Sequence, residues 1–222
     1  MSRRPSTWGR LARAVIPGVR RVHAQTLPYS RLWDDANAAA LAATGRLWVV
    51  LGDSTAQGIG APSHDQGYVG QLRHRLGPGW RVLNWSRSGA RTADVIETQL
   101  PRLEALEVEP DLVTAAVGAN DLYPTPIGVL VANLRTIIGA LPPGAVIATL
   151  PQGLKAEKAR AANDVIQAEA PAHGLRVADV WARTGAPWRG KYAPDAFHPN
   201  QAGYADWTAA FADALGISPA SE

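Results

Sequence analysis

Ser54, His198 and Asp195 carry a hydroxyl, an imidazole and a carboxylate. Acyl transfer asks four things of a site: a nucleophile, a base within hydrogen-bond reach, a group that orients the base, and donors aimed at the developing oxyanion. Ser54 stands in Gly52-Asp53-Ser54-Thr55, directly behind the apolar run LWVVL (47–51). A serine there sits at a strand-to-helix turn, with its hydroxyl exposed and the N-terminus of the following helix pointing at it. His198, in Asp195-Ala196-Phe197-His198-Pro199, has an acid three residues earlier. Across a tight turn Asp195 reaches the ring, fixes its tautomer and stabilises the imidazolium. Gly89, in NWSRSG (84–89), lets a backbone N–H approach a ligand with no Cβ in the way. Asn120, in Gly118-Ala119-Asn120-Asp121, supplies a side-chain donor.

Each of these residues also has an ordinary structural use. Serine caps helices, and Asp53 and Asp121 suit loop bonding and helix entry. Arg87 and Arg91 flank Gly89 and either clamp an anionic substrate group or solvate the loop. Tyr123, Trp188, Tyr192 and Phe197 fall on loops near the site and are candidates to wall an acyl pocket. His23, His64, His74 and His173 read as surface or loop residues. His64 and His74 do not have zinc-ligand spacing and no carboxylate cluster completes them, so no metal is expected.

The elements that must hold these residues alternate along the chain. Apolar runs at 47–51, 82–85, 112–117, 145–150 and 175–180 read as strands. Helical patterns cover 32–44, 68–76, 92–106 (interrupted by Pro101), 127–141, 155–170 and 201–215. Residues 181–199 read as a loop rich in Gly, Pro and aromatics. Strands that alternate with helices imply βαβ units, a parallel sheet, and helices on both faces. Such sheets bind ligands beyond the carboxyl ends of their strands, and three of the four polar blocks follow strands directly. The expected fold class is therefore α/β, with a five-stranded parallel sheet between helices.

The four blocks, in this order, resemble the SGNH (GDSL-type) hydrolase family. Gly52-Asp53-Ser54 is similar to its nucleophile block, Gly89 to its glycine block, Gly118-Ala119-Asn120-Asp121 to G-x-N-D, and Asp195-x-x-His198-Pro199 to D-x-x-H. VVLGDSTAQGIGA, SRSGAR and the tryptophan-rich tail further resemble actinobacterial members. The resemblance implies the SGNH fold, a three-layer α/β/α sandwich on a five-stranded parallel sheet with the flavodoxin-like order 2-1-3-4-5, and ester hydrolysis through an acyl-serine. It implies Ser54 as nucleophile, His198 as base and Asp195 as orienter, with Ser54 N–H, Gly89 N–H and Asn120 as oxyanion hole and no cofactor. Short-to-medium acyl chains or lipid-like esters are the expected substrates.

Composition narrows the alternatives. The chain of 222 residues is 46% hydrophobic and 18% charged, which excludes disorder as its main state. It has no cysteine, so thiol catalysis, thiolate zinc sites and iron–sulfur clusters are excluded. The net charge of +3 is uneven: seven arginines and no acid precede Asp34, and the remainder is mildly acidic. A folded body of that kind does not suit nucleic acid. Residues 1–45 read as a basic arm and helix, 46–217 as the hydrolase domain, and 218–222 as a tail. Arginines and Pro17 interrupt every candidate signal sequence in the arm, so a cytoplasmic location is expected. Its amphipathic stretch (Trp8, Leu11, Val15, Ile16) suits packing on the body better than peripheral membrane contact. The oligomeric state is not legible. Competing readings are a flavodoxin-like module cradling phosphate or flavin on the amides of GDSTAQGIG, a non-catalytic relative, or an acyltransferase.

Overall fold

The computed structural model describes residues 16–153 and 155–217. Five strands, β1 (Arg46–Gly52), β2 (Trp80–Asn84), β3 (Leu112–Ala116), β4 (Val146–Ala148) and β5 (Arg176–Ala178), form one parallel sheet in the order 2-1-3-4-5. Successive side chains of a strand point to opposite faces, so a strand covered on both sides is apolar at every position. In β1, Leu47, Val49 and Leu51 enter one core, and Trp48 and Val50 enter the other. The continuous run LWVVL is thus the signature of a central strand.

Helices close both cores. α4 (92–104), α5 (Ile127–Ala140) and α6 (Ala156–Glu169) cover one face, with Val95, Leu130, Leu134, Ile137 and Ile166 turned inward. α3 (Tyr68–Leu76) and the last helix, α8 (Gln201–Leu215), cover the other through Tyr68, Leu72, Trp207 and Phe211. The interruption expected at Pro101 takes the form of a π-turn at Val95–Gln99. A proline ring and its missing N–H break the ordinary helical ladder, and the wider turn accommodates both. The loop after β5 holds a further short helix, α7 (Val180–Arg183), capped by Asp179.

The N-terminal part departs most from its sequence pattern. A first helix, α1 (Pro17–His23), precedes α2 (Thr26–Ala42), which starts six residues earlier than the alanine-rich stretch suggests. Pro28 falls in its first turn, where a missing N–H breaks no helical bond. α2 crosses the β2 edge of the sheet: Trp33 joins one core and Ala40 the other. Between them the Asn37 amide pairs with both backbone groups of Asn84, at 2.9 and 2.7 Å. An open strand edge is thereby satisfied and covered. Val22 and Tyr29 are buried with Ile59 and Ala193. α1 and α2 pack on the body through Val22, Tyr29, Trp33 and Ala40, whereas Ile16, which the amphipathic pattern would bury, is 48% exposed. Trp8, Leu11 and Val15, like the tail 218–222, lie outside the described residues. Among the described residues no helix is long and apolar enough to cross a membrane.

Candidate active site

β1 ends at Gly52, level with Ala116 of β3, so the loops carrying Ser54 and Asn120 leave the sheet side by side. Gln99, from the π-turn of α4, pairs its side-chain amide with both backbone groups of Gly52, at 2.8 and 2.9 Å. Contrary to the sequence expectation, no helix follows Ser54. Residues 54–60 form successive turns, and the next α-helix starts at Tyr68. Gly58 and Gly60 take φ +79° and +101°, which a right-handed helix excludes, and at Gly60 a Cβ would lie 2.3 Å from the Pro199 carbonyl oxygen and 2.8 Å from the His198 Cβ. The chain turns there to let the histidine in. No helix dipole therefore acts on Ser54. The backbone N–H groups of Thr55, Gln57, Gly58, Ile59, Gly60 and Ala61 all donate within the protein, which argues against this loop as a phosphate cradle.

The buried Gln57 ties this loop to the glycine block. Its Nε2 donates to Ser86 O at 3.0 Å, and its Oε1 accepts from the Ser88 hydroxyl at 2.7 Å. Asn84 adds a second tie, donating to Ala56 O at 2.8 Å.

His198 arrives from the other side of the sequence. Its Nε2 lies 3.0 Å from Ser54 Oγ, and its Nδ1 lies 2.6 Å from Asp195 Oδ2. Asp195 Oδ1 accepts from the backbone N–H groups of Phe197 and His198 at 3.1 and 3.0 Å, so the carboxylate braces the turn as well as the ring. Between them Ala196 takes φ +54°, a left-handed conformation that alanine adopts only at a cost of about 1–2 kcal/mol. Burial works against the Asp195 charge, but the His198 hydrogen bond and charge and the two N–H donors hold its carboxyl below the ordinary value. This arrangement can take a proton from Ser54 at one nitrogen while the carboxylate fixes the other.

Asn120 Nδ2 donates to Ala90 O at 2.9 Å and approaches Asp53 Oδ2 at 3.3 Å. Asp53 is buried, and its other oxygen accepts from the Thr55 N–H and hydroxyl. Burial pushes its pKa up to about 6, opposed by the Thr55 hydrogen bonds. Asp121 has a purely structural set of partners: the backbone N–H and hydroxyl of Thr92 at the start of α4, and the Thr125 hydroxyl. Gly89 is at φ +80°, and nothing lies within 4 Å of where its Cβ would be.

Two cavities open at the Ser54–His198 pair. The larger, about 410 Å³, is walled by Tyr123, Trp188, Tyr192 and Phe197, the four aromatic residues singled out from the sequence, together with Leu122 and Trp207. The second, about 350 Å³, is reached past Gly89 and Ser88. Ser54, Asn120, Phe197 and His198 line both. Arg87 and Arg91 line neither. Arg87 is exposed, and the Arg91 backbone N–H bonds Asp94 at the start of α4.

Residues 50–205 match the GDSL-like Lipase/Acylhydrolase family. The protein belongs to this family. The match takes in all four polar blocks and leaves α1 and α2 ahead of it. Solved structures of SGNH hydrolases share the fold. TesA is 26% identical over 77% of this chain and 98% of its own, with a TM-score of 0.64. Axe2, an acetylxylan esterase from Geobacillus stearothermophilus, is 20% identical over 79% of this chain and 96% of its own, with a TM-score of 0.64. LAE5, an α/β hydrolase enzyme from the metagenome of Lake Arreo, Spain, is 24% identical over 79% of this chain and 97% of its own, with a TM-score of 0.63. No curated protein matches the chain.

Several residues at the site went unread in the sequence. Val19, His23 and Thr26 of the arm line the second cavity, and Gln57 and Gln99 hold the nucleophile's loop. A glutamine that bonds backbone has no local sequence signature, because its partners are set by the fold. Lys191 and Asp206, an ion pair at 2.6 Å, stand in the wall of the larger cavity.

Proposed function

We propose that the protein is a serine esterase that cleaves carboxylic esters of short-to-medium acyl chains through an acyl-serine intermediate. The observation that carries this reading is the unbroken chain Ser54 Oγ, His198 Nε2, His198 Nδ1, Asp195 Oδ2, with links of 3.0 and 2.6 Å. Ser54 Oγ attacks the ester carbonyl and passes its proton to Nε2. Asp195 holds Nδ1–H and stabilises the imidazolium. The negative charge on the former carbonyl oxygen is met by the N–H groups of Ser54 and Gly89 and by Asn120 Nδ2. For Asn120 the oxyanion replaces the longer contact, to Asp53, and the shorter one to Ala90 O keeps the amide aimed. Collapse of the tetrahedral adduct breaks the ester C–O bond, and the alcohol leaves with the proton from Nε2. Water repeats the sequence on the acyl-serine and frees the acid. The aromatic walls of the larger cavity suit a hydrocarbon acyl chain.

A panel of p-nitrophenyl esters from acetate to palmitate tests this. The expected outcome is turnover that is highest at short-to-medium chain length and absent in Ser54→Ala. Lack of nitrophenol release from every ester would overturn the reading.

A further inference from the structure

We propose that α1 and the start of α2, which precede the family match, form a substrate subsite that takes the alcohol half of the ester, and that this alcohol bears hydroxyl groups. The inference rests on the esterase reading above.

The arm is built into the site rather than merely laid on it. Gly18 of α1 lies against Pro194: a Cβ there would come within 2.1 Å of the Pro194 carbonyl oxygen. The Gln25 side chain accepts from Gly60 N–H at 2.8 Å and donates to Ala61 O at 3.0 Å, and Tyr29 donates to the same oxygen at 2.9 Å. The arm therefore grips the loop after the nucleophile and the loop before the base at once. In the gap between these two grips lies the second cavity, about 350 Å³, which reaches Ser54 and His198.

Both cavities present more apolar than polar surface, but different side chains supply it, and an ester has two unlike halves. Tyr123, Trp188, Tyr192, Phe197, Trp207 and Leu122 gather in the larger beside the Lys191–Asp206 pair, whose charges bond each other, so the acyl chain is assigned there. The second is lined by no Tyr or Trp among the described residues and offers hydroxyl groups from Thr26 and Ser88, with Val19, Ile59 and the edge of the shared Phe197 beside them. The Ser88 hydroxyl donates to Gln57, which leaves its oxygen to accept from a ligand. A polyhydroxylated alcohol matches such a surface, its hydroxyls meeting the polar groups and its C–H face meeting Val19 and Ile59. Gly89 opens this cavity toward the nucleophile.

The test is a ratio: kcat/KM for glyceryl monobutyrate over that for methyl butyrate, in wild type, Val19→Trp and Thr26→Val. Val19→Trp fills the cavity and should lower the ratio about tenfold. Thr26→Val keeps the shape, removes one hydroxyl and should lower the ratio about three- to fivefold. The order of preference along methyl acetate to methyl octanoate should stay as in wild type. Circular dichroism melting establishes that each variant is folded, and Thr26→Val alone decides the matter if Val19→Trp is not. An unchanged ratio in folded variants, or a shift in acyl preference instead, would overturn the subsite while leaving the esterase reading intact. A wild type inert toward every ester would overturn that reading itself.

Discussion

The loop that carries Ser54 and the loop that carries His198 meet at a single hydrogen bond, yet they are built by different means. Residues 53–59 are all buried, and their ties run sideways to other elements: Gln57 to the glycine block, Asn84 to Ala56, Trp33 to Gln57 O. In residues 184–199 only Ala193 is buried, and Trp188 and Phe197 are 48% and 46% exposed. That loop is held largely from within, by the Asp195 turn and by Asn200, whose amide donates to Gly190 O and Tyr192 O. Ser54 is thus fixed by neighbouring elements at the sheet edge, whereas His198 depends on a local turn. The difference says where a substitution should act on chemistry alone and where it should also loosen the geometry.

The largest effect is common to both halves. Ser54→Ala and His198→Ala should each lower kcat by roughly 10⁴-fold or more, because nucleophile and base act as a unit. Steady-state kinetics on one activated ester measures this, and retention of a tenth of wild-type kcat in either would break the pairing. The halves should separate at the next level. Asn120→Ala, on the rigid side, should lower kcat by ~10²–10³ with KM little changed, since its donor is used mainly in the transition state. A change confined to KM would make Asn120 a binding residue. Asp195→Ala, on the loop side, should cost ~10–10³ in kcat/KM, less than Ser54→Ala because no wrong tautomer is imposed. It should also speed amide exchange at Phe197 and His198, which lose their acceptor. Unaltered exchange there would mean that the turn holds without its carboxylate.

Much of the contrast between the halves was legible in the chain. LWVVL followed by a polar block marks a central strand ending at a site, and the 68–76 and 201–215 helices match their apolar spacing. The Asp195–His198 contact is local and follows from a three-residue spacing. What the sequence hid depends on distant approach. Gly60, at the end of the turns after Ser54, meets Pro199 and His198, nearly 140 positions away. The start of α2 was obscured by Pro28, and the arm's share in the second cavity by its lying outside the four blocks.

The smallest effect concerns stability and belongs to the rigid half alone. Burial raises the Asp53 pKa to about 6 in the folded protein, against ~3.9 in an unfolded chain. A raised folded value means that the contribution of Asp53 is fully present below about pH 4 and is lost as pH rises to 6. Asp53→Asn has no charge to bury, so its stability relative to wild type should rise by about 2–3 kcal/mol between pH 4 and 7 and stay level above that. Urea denaturation at each pH reads the difference. A flat difference would show that the Asp53 charge is not confined by burial.

The central claim is that His198, held by Asp195, turns the buried Ser54 hydroxyl into a nucleophile. Labelling with a fluorophosphonate probe, followed by peptide mass mapping, tests it most directly. The account predicts one stoichiometric adduct on Ser54, none in Ser54→Ala, and labelling slowed by orders of magnitude in His198→Ala. An adduct on another residue, or equally fast labelling in His198→Ala, would contradict it.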